Sequence, residues 1–369
     1  MSRNLNPRLG LIALFLCLCS TISFAEKKKE QKKEKNHSIL PLPVIYYSPE
    51  TKLAFGGLVF NLFHMEPEDT LTQTSYVRSA FIYTLNNQYL FEVDNALFFR
   101  DDRMRMKNYF ILRSYPDFFY GIGQDIVAED DKEQIAFFDL KYRASFLFRI
   151  AENMYLGPRY QLYSAMDIDL PEESMIRDME LTGYGGYTSS GLGLAFQWDT
   201  RDNVLNATSG HLIELETEHN MGLLRSSFRY DWMGLDMRYF HRLHPSGVLA
   251  LHYRGEFTTG EVPFESLAKM GSSEIMRGYF KGKYRDKVTM ATQVEYRQHI
   301  WWRIGMVAFA GVGDVSSSLG EFTINHLKWS YGAGLRFRVK DDENLNIRLD
   351  YGLGNDGNSG FYIEIAEAF

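Results

Sequence analysis

Cysteine is nearly absent from this sequence. Only two of the 369 residues are cysteines, and Cys17 and Cys19 both lie within the first 25 positions. The rest of the chain therefore has no disulfide framework, no cysteine metal site and no cysteine nucleophile. A long apolar helix is also missing beyond those positions, and the mean hydropathy is -0.28, which excludes a helical membrane protein.

Motifs of common enzymes are missing as well. The chain carries no HExxH zinc motif, no GxSxG nucleophile elbow and no phosphate-binding loop. Its nine histidines are scattered along the sequence, so we expect them to line strands or turns rather than to bind a metal ion. The formal net charge of -7 argues against binding to nucleic acid. We predict no catalytic residue, no metal site, no cofactor and no enzymatic activity.

The N-terminus has the pattern of an export signal. Two arginines precede an apolar run, and Ser23-Phe24-Ala25 is a small-residue cleavage site. The alternative is an uncleaved anchor, for which the apolar run is short. We predict a signal peptide over residues 1–25 and a charged linker over 26–40. An exported protein without a further apolar helix is either a soluble periplasmic protein or an outer-membrane barrel.

From about residue 42 onward, the chain is a series of alternating segments. Every second residue is apolar and those between are polar, which is typical of β-strands with two different faces. The polar faces include Asp139, Lys141 and Arg143; Arg254 and Glu256; Glu295 and Arg297; and Arg348 and Asp350. Alternation alone fits a soluble sandwich or a membrane barrel with its polar side chains toward the lumen. The export signal, the absent cysteines, the length of the strands and the aromatic residues near the strand ends favour the barrel.

The predicted fold class is all-β: a transmembrane antiparallel β-barrel of about sixteen strands over residues 41–369. One segment breaks the alternation near Met233-Gly234, where either a bulge restores the polar residues to the lumen or the strand ends early. The last predicted strand spans 360–369 and ends in Phe369. A terminal phenylalanine on such a strand fits an outer-membrane targeting signal; the alternative is an ordinary edge strand.

Several short motifs occur in a distinctive order. Arg277-Gly278-Tyr279 follows Gly271-Ser272 and precedes Tyr284-Arg285-Asp286 and then Glu295-Tyr296-Arg297. Further matching pieces are Pro116–Gly123, Asp199–Asn203 and Phe369. With these motifs the chain resembles the bacterial surface antigen family, the BamA/TamA-type outer-membrane insertion porins. The resemblance covers nearly all of residues 40–369.

The resemblance implies a loop that folds into the lumen. This loop is 261–286, and Arg277-Gly278-Tyr279 is its motif. In the family the loop arginine pairs with acids on the inner wall. Glu295 lies on the polar face of the following strand and is the predicted partner of the arginine. The alternative is that Glu295 pairs with Arg297 or Arg254 on the wall itself.

The chain departs from the family pattern in two respects. Family members often carry an acid where Gly311 stands, so a second acidic contact for the loop arginine is not predicted, although Asp314 lies close by in sequence. No polypeptide-transport-associated (POTRA) repeat precedes the first predicted strand. The resemblance therefore implies a member without these soluble domains.

The function implied by the resemblance is insertion or translocation of proteins, or of lipids, at the outer membrane of a Gram-negative-type cell. The implied partners are outer-membrane lipid and either a periplasmic partner subunit or an unfolded barrel client. A passive pore or structural barrel, with the loop as a plug, is the alternative function. A hydrolase embedded in the barrel wall is a third hypothesis.

Overall fold

The computed structural model describes residues 37–48, 52–65, 72–99, 101–340 and 344–369. The predicted signal peptide and residues 26–36 of the predicted linker lie outside these ranges. No helix within them is long and apolar enough to cross a membrane. The first strand begins at His37, a few residues before the predicted start of the barrel at 41.

Sixteen antiparallel strands form one sheet, which confirms the predicted fold class and strand number. Their bounds are β1 His37–Ser48, β2 Lys52–Phe63, β3 Ser75–Thr84, β4 Tyr89–Phe99, β5 Met104–Phe119, β6 Glu133–Ala151, β7 Met154–Asp169, β8 Tyr187–Asp199, β9 Gly210–Asn220, β10 Tyr230–His244, β11 Gly247–Gly260, β14 Val288–Trp301, β15 Ile304–Ser316, β16 Lys328–Lys340, β17 Leu345–Gly354 and β18 Ser359–Ile365. The two-residue strands β12 (Ala268–Lys269) and β13 (Arg285–Asp286) pair with each other inside a loop. A single four-residue α-helix, Met175–Asp178, occurs in the described ranges.

The connections between strands differ at the two ends of the sheet. At one end, which we call the short-turn end, two residues join β6 to β7, β10 to β11 and β14 to β15. At the other, the loop end, longer segments join β5 to β6, β7 to β8 and β11 to β14. Strands that follow each other in sequence are neighbours throughout, with β11 beside β14. The chain therefore winds as a simple meander with its three longest loops at one end.

Alternation along the strands separates a lumenal face from an outer face. On β14, Glu295 is 0% exposed, whereas the adjacent Val294 is 39% exposed. On β6, Phe146 and Phe148 are exposed on the outside, and Lys141 lines the interior cavity. An apolar outer face suits lipid, and a polar inner face suits a hydrated lumen. The local period of two thus becomes the inside and outside of a barrel wall.

The expected irregularity near Met233-Gly234 is not present, and the strand does not end there. Both neighbours of β10 pair with it in an unshifted register through Trp232, Met233 and Gly234. Asp231 consequently faces outward, 59% exposed, and contacts His219. Trp232 faces the lumen, where the Arg159 guanidinium lies 5.1 Å from its ring. The charge is tolerated outside because it lies beside the loop end, where water replaces lipid.

Hydrogen bonding does not close the sheet. Among the described residues, β1 and β18 are its two edges and do not pair through their backbones. Side chains nevertheless bridge the two edges: Leu40, Phe60 and Ile365 share one apolar cluster. Farther along, Arg78 of β3 lies 4.0 Å from Glu364 of β18. We call this junction the seam.

The last strand is shorter than predicted. β18 ends at Ile365 rather than at Phe369, because Ala366 adopts a left-handed conformation with φ of 70°. The four residues after Ile365 leave the sheet and enter the lumen, where Phe369 is buried. We call residues 366–369 the tail.

Candidate functional site

The long loop between β11 and β14 lies inside the barrel rather than over it. Met276 and Arg277 are 0% exposed, and Tyr279 is 2% exposed. Met276 and Tyr279 belong to an apolar cluster with Val315 of β15. The loop therefore has a small core of its own, built from its apolar side chains and the inner wall.

Arg277 bridges two acids on different strands. Its Nη2 donates to Oε2 of Glu295 on β14, and its Nη1 donates to Oδ2 of Asp350 on β17 at 2.6 Å. The guanidinium also lies 3.5 Å from the ring centre of Phe309 on β15. A planar, two-pronged cation matches this placement, because its donors point to two carboxylates at once. We call Arg277, Glu295 and Asp350 the latch.

Other arginines share both acids of the latch. Arg297 donates to Glu295 at 2.8 Å. Arg336 and Arg348 donate to Asp350 at 2.5 Å and 2.9 Å. Each acid thus keeps a cation even when the loop is absent. Such sharing lowers the cost of releasing the loop, because a buried charge is expensive chiefly when it is left unpaired.

Backbone contact brings the loop unusually close to the wall. Gly278 has a φ of 111°, and a Cβ there would lie 2.8 Å from the carbonyl carbon of Leu353. On the facing strand, a Cβ at Gly352 would lie 2.6 Å from the carbonyl carbon of Arg277. The Gly278 amide also donates to the Tyr362 hydroxyl on β18 at 2.9 Å. Only glycine meets both the close approach and the left-handed φ.

Tyr279 fastens the loop to the loop end of β16 and β17. Its hydroxyl donates to the Trp329 carbonyl at 2.9 Å and accepts from the Asn355 amide at 2.8 Å. Its ring lies 6.0 Å from that of Tyr284. The hydroxyl of this buried tyrosine therefore satisfies two backbone groups of the wall.

A second ionic anchor holds the base of the loop at the loop end. Glu265 accepts from Lys269 at 2.5 Å and from Arg285 at 2.5 Å. Arg285 also donates to the Phe118 carbonyl at 3.0 Å, which ties this base to the end of β5. Burial alone would raise the pKa of Glu265, but the two cations lower it to about 2. The carboxylate is therefore ionised at any physiological pH.

The tail contacts the network that holds the latch. Glu367 accepts from Arg336 and from Asn346, each at 2.6 Å. Arg297 donates to the Phe369 carbonyl at 2.9 Å, and the Phe369 ring lies 4.6 Å from that of His252. Arg297 and Arg336 each join the tail to a latch acid. Loop and tail therefore share one buried charge network.

Comparison with known protein families identifies the chain. The profile of the Omp85 superfamily domain matches residues 58–369. The chain belongs to the Omp85 superfamily. This confirms the resemblance derived from the sequence motifs. A search of curated proteins found no match.

Two solved barrels show how far the Omp85 fold extends along this chain. BamA from Haemophilus ducreyi, in a crystal structure lacking POTRA domains 1–3, covers 90% of this chain and 69% of its own at a TM-score of 0.55 and 13% identity. CdiB from Acinetobacter baumannii covers 91% of this chain and 59% of its own at a TM-score of 0.55 and 12% identity. At such identities the similarity concerns the fold alone. The chain is an outer-membrane β-barrel of the Omp85 superfamily.

Within this Omp85 barrel, the structure brings the residues of the predicted site together. Arg277 meets Glu295, while Arg297, the alternative partner, contacts the same acid from the other side. Phe369 lies in the lumen rather than on the last strand. Arg254, the other alternative, instead pairs with Glu256 and with the loop acid Glu274.

Sequence reasoning missed the second acid of the latch. Gly311 stands where the family often has an acid, and Asp350 on β17 supplies the carboxylate instead. Asp314 is engaged elsewhere, by Lys328 and Gln124. The only available signal was that Asp350 lies on a lumenal parity, which many other residues share. In the ranges the structure covers, no three His, Cys, Asp or Glu side chains are grouped to hold a metal ion.

Proposed function

We propose that this Omp85 barrel assists the insertion or translocation of proteins, or of lipids, at the outer membrane of a Gram-negative-type cell, to which a signal peptide over 1–25 exports it. The observation that carries this proposal is the seam. Sixteen strands stand in sequence, yet β1 and β18 share no backbone pairing within the described ranges. Unpaired strand edges are templates for a further strand, because unsatisfied backbone groups are costly within a bilayer.

The latch fits such a role because it sits beside the seam. Asp350 lies on β17, one strand from the edge, and the loop amide of Gly278 reaches Tyr362 on the edge strand itself. The docked loop therefore holds the last two strands from the inside. A client strand or a periplasmic partner subunit that loosened this contact would loosen the edge as well.

A cross-linking experiment tests the proposal. Leu40→Cys and Ile365→Cys would be joined by a short bismaleimide across the seam, in a chain whose two native cysteines are replaced by serine. The barrel in liposomes would then be offered an unfolded barrel client, and folding of the client would be followed by its heat-modifiable gel mobility. We expect the cross-link to abolish the acceleration of client folding.

The matched control joins two neighbours elsewhere in the wall. Leu156→Cys and Phe196→Cys face each other on β7 and β8 in direct register, and both strands lie in the middle of the sheet, away from β1 and β18. This cross-link should leave client folding unchanged. If the client folds at the same rate with and without the cross-link across the seam, the seam has no role in client folding.

A passive pore is the alternative, and the lumenal cavity of about 1020 Å³ is the observation that favours it. Conductance across planar bilayers separates the two functions. A barrel plugged by its latched loop should conduct little, and Arg277→Ala should raise its conductance. A large, steady conductance of the unaltered barrel, insensitive to this substitution, would favour the pore.

A further inference from the structure

The lumenal cavity of about 1020 Å³ is bounded by wall strands and by the inserted loop. Its lining contains acids and bases in similar numbers, but they are not matched evenly. Every carboxylate of the lining lies within 4.0 Å of a Lys or Arg. Examples are Asp139 with Arg113 at 2.6 Å and Glu256 with Arg254 at 3.1 Å. No negative charge of the cavity is left over.

Three cations of the same lining have no such partner. The side chains of Lys141, Arg143 and Lys281 form no ion pair or hydrogen bond in the described part of the chain. Lys141 and Arg143 are two residues apart on β6, so their side chains share the lumenal face. Each lies over an aromatic ring, Tyr163 at 5.5 Å and Tyr109 at 4.7 Å. Arg143 Nε is buried without an acceptor.

Lys281 comes from the inserted loop and faces the same cavity. Desolvation in the lumen, followed by neighbouring cations that include Arg254 and Arg143, lowers the pKa of Lys281 to about 8. Burial is the larger cause of this lowered pKa, and the neighbouring cations add to it, while Glu256 partly opposes them. The loop thus adds to a positive region that the wall already provides.

Arg159 supplies further donors beside these cations. It is 3% exposed, and its Nη1 lies 3.1 Å from Glu216. Its Nε and Nη2 are buried without an acceptor at hydrogen-bond distance, although Nη2 lies 3.7 Å from Oε2 of Glu218. A buried guanidinium with open donors is costly unless an acceptor is supplied from outside the chain.

We propose that this cavity binds a phosphate-bearing ligand at Lys141, Arg143 and Lys281. Cations without counter-charges in the protein favour an anion with more than one charge. A phosphate monoester carries roughly 1.5 to 2 negative charges at neutral pH, and its oxygens match the fork of an arginine. The phosphate could belong to a lipid headgroup or to a small soluble molecule. The site goes beyond the proposed function and does not depend on it.

Calorimetric titration of the full chain in a neutral detergent tests the site. Inorganic phosphate and glycerol phosphate are the soluble probes, at constant ionic strength against chloride. We expect saturable binding that Lys141→Gln with Arg143→Gln weakens at least tenfold, because charged hydrogen bonds are lost. Arg149→Gln is the matched control, since it removes an exposed charge from the same strand outside this cavity.

Two further measurements identify the source of the phosphate and separate loss of binding from misfolding of a variant. Phosphatidylcholine nanodiscs with and without phosphatidic acid report a lipid headgroup, whereas binding confined to glycerol phosphate reports a soluble ligand. Lys281→Gln lies on the loop and leaves the wall intact, so it should also weaken binding if the double variant does not fold. No binding of either phosphate form, or equal binding by all variants, would overturn the proposal. Stronger binding of a polyglutamate peptide than of phosphate would replace it with a polypeptide site.

Discussion

Removal of the latch arginine is the perturbation with the clearest structural consequence. Arg277→Ala deletes a fully buried guanidinium that contacts Glu295, Asp350 and Phe309. Breaking a buried ion pair from one side typically costs about 3–5 kcal/mol, because the other charge is left alone. Here Arg297 and Arg336 still neutralise the two acids. The cost should therefore lie near the lower limit, about 3 kcal/mol.

A loss of this size would appear first in docking of the loop. Since each 1.4 kcal/mol is a factor of ten, about 3 kcal/mol shifts the docked-to-released ratio about a hundredfold. Limited proteolysis should then cut within the loop, residues 261–286, in Arg277→Ala but not in the unaltered barrel. Urea unfolding in detergent, followed by heat-modifiable gel mobility, should show a lower midpoint and a lower abundance of the folded form.

Two control variants separate charge from geometry. Arg277→Lys keeps the charge but cannot reach both acids in one plane, so an intermediate loss is expected. Arg149→Ala removes an exposed arginine and should change nothing. If Arg277→Ala left the unfolding midpoint, the abundance and the cleavage pattern unchanged, the latch would contribute nothing to holding the loop.

Three further predictions concern the glycine contact, the base of the loop and the tail. Gly352→Ala should release the loop as Arg277→Ala does, because its Cβ would lie 2.6 Å from the loop backbone. The control Gly357→Ala lies in open space at a φ of 76° and should cause only local strain. Protease mapping of the loop distinguishes the two variants. Acid should free the base of the loop: the Glu265 pKa falls from 4.5 to about 2 on folding, so its stabilisation is complete above pH about 4.5 and is lost as the pH falls toward 2. Glu265→Gln should remove that pH dependence of thermal unfolding. Glu367→Gln should loosen the tail from Arg336, and Phe369→Cys in that variant should then react faster with a maleimide than Phe369→Cys alone.

The strands of this barrel were predictable because their signal is local. A period of two needs only adjacent residues, and it places Glu295 and Asp350 on lumenal faces without any knowledge of their partners. The prediction of an irregularity near Gly234 was wrong for a related reason. The prediction assumed that every polar side chain of a strand faces the lumen. Asp231, at the loop end, is instead exposed on the outer face beside His219.

Partners across the lumen were not predictable in this way. Arg277 meets acids on β14 and β17, which stand three places apart in the sheet. Which lumenal residues face each other there depends on how strongly the sheet curls and staggers, a property of all strands together. Asp350 therefore could not be chosen over other lumenal acids, and the departure at Gly311 wrongly removed the expectation of a second contact.

The sequence by itself determined the class of fold, the order of the strands and the loop that enters the barrel. These depend on local periodicity, on turn residues and on the motif around Arg277. Only the tertiary structure decided that Asp350 completes the latch, that β1 and β18 remain unpaired in the described ranges, and that residues after Ile365 turn inward. Each of these depends on how all the strands are arranged around one lumen, which no local pattern specifies.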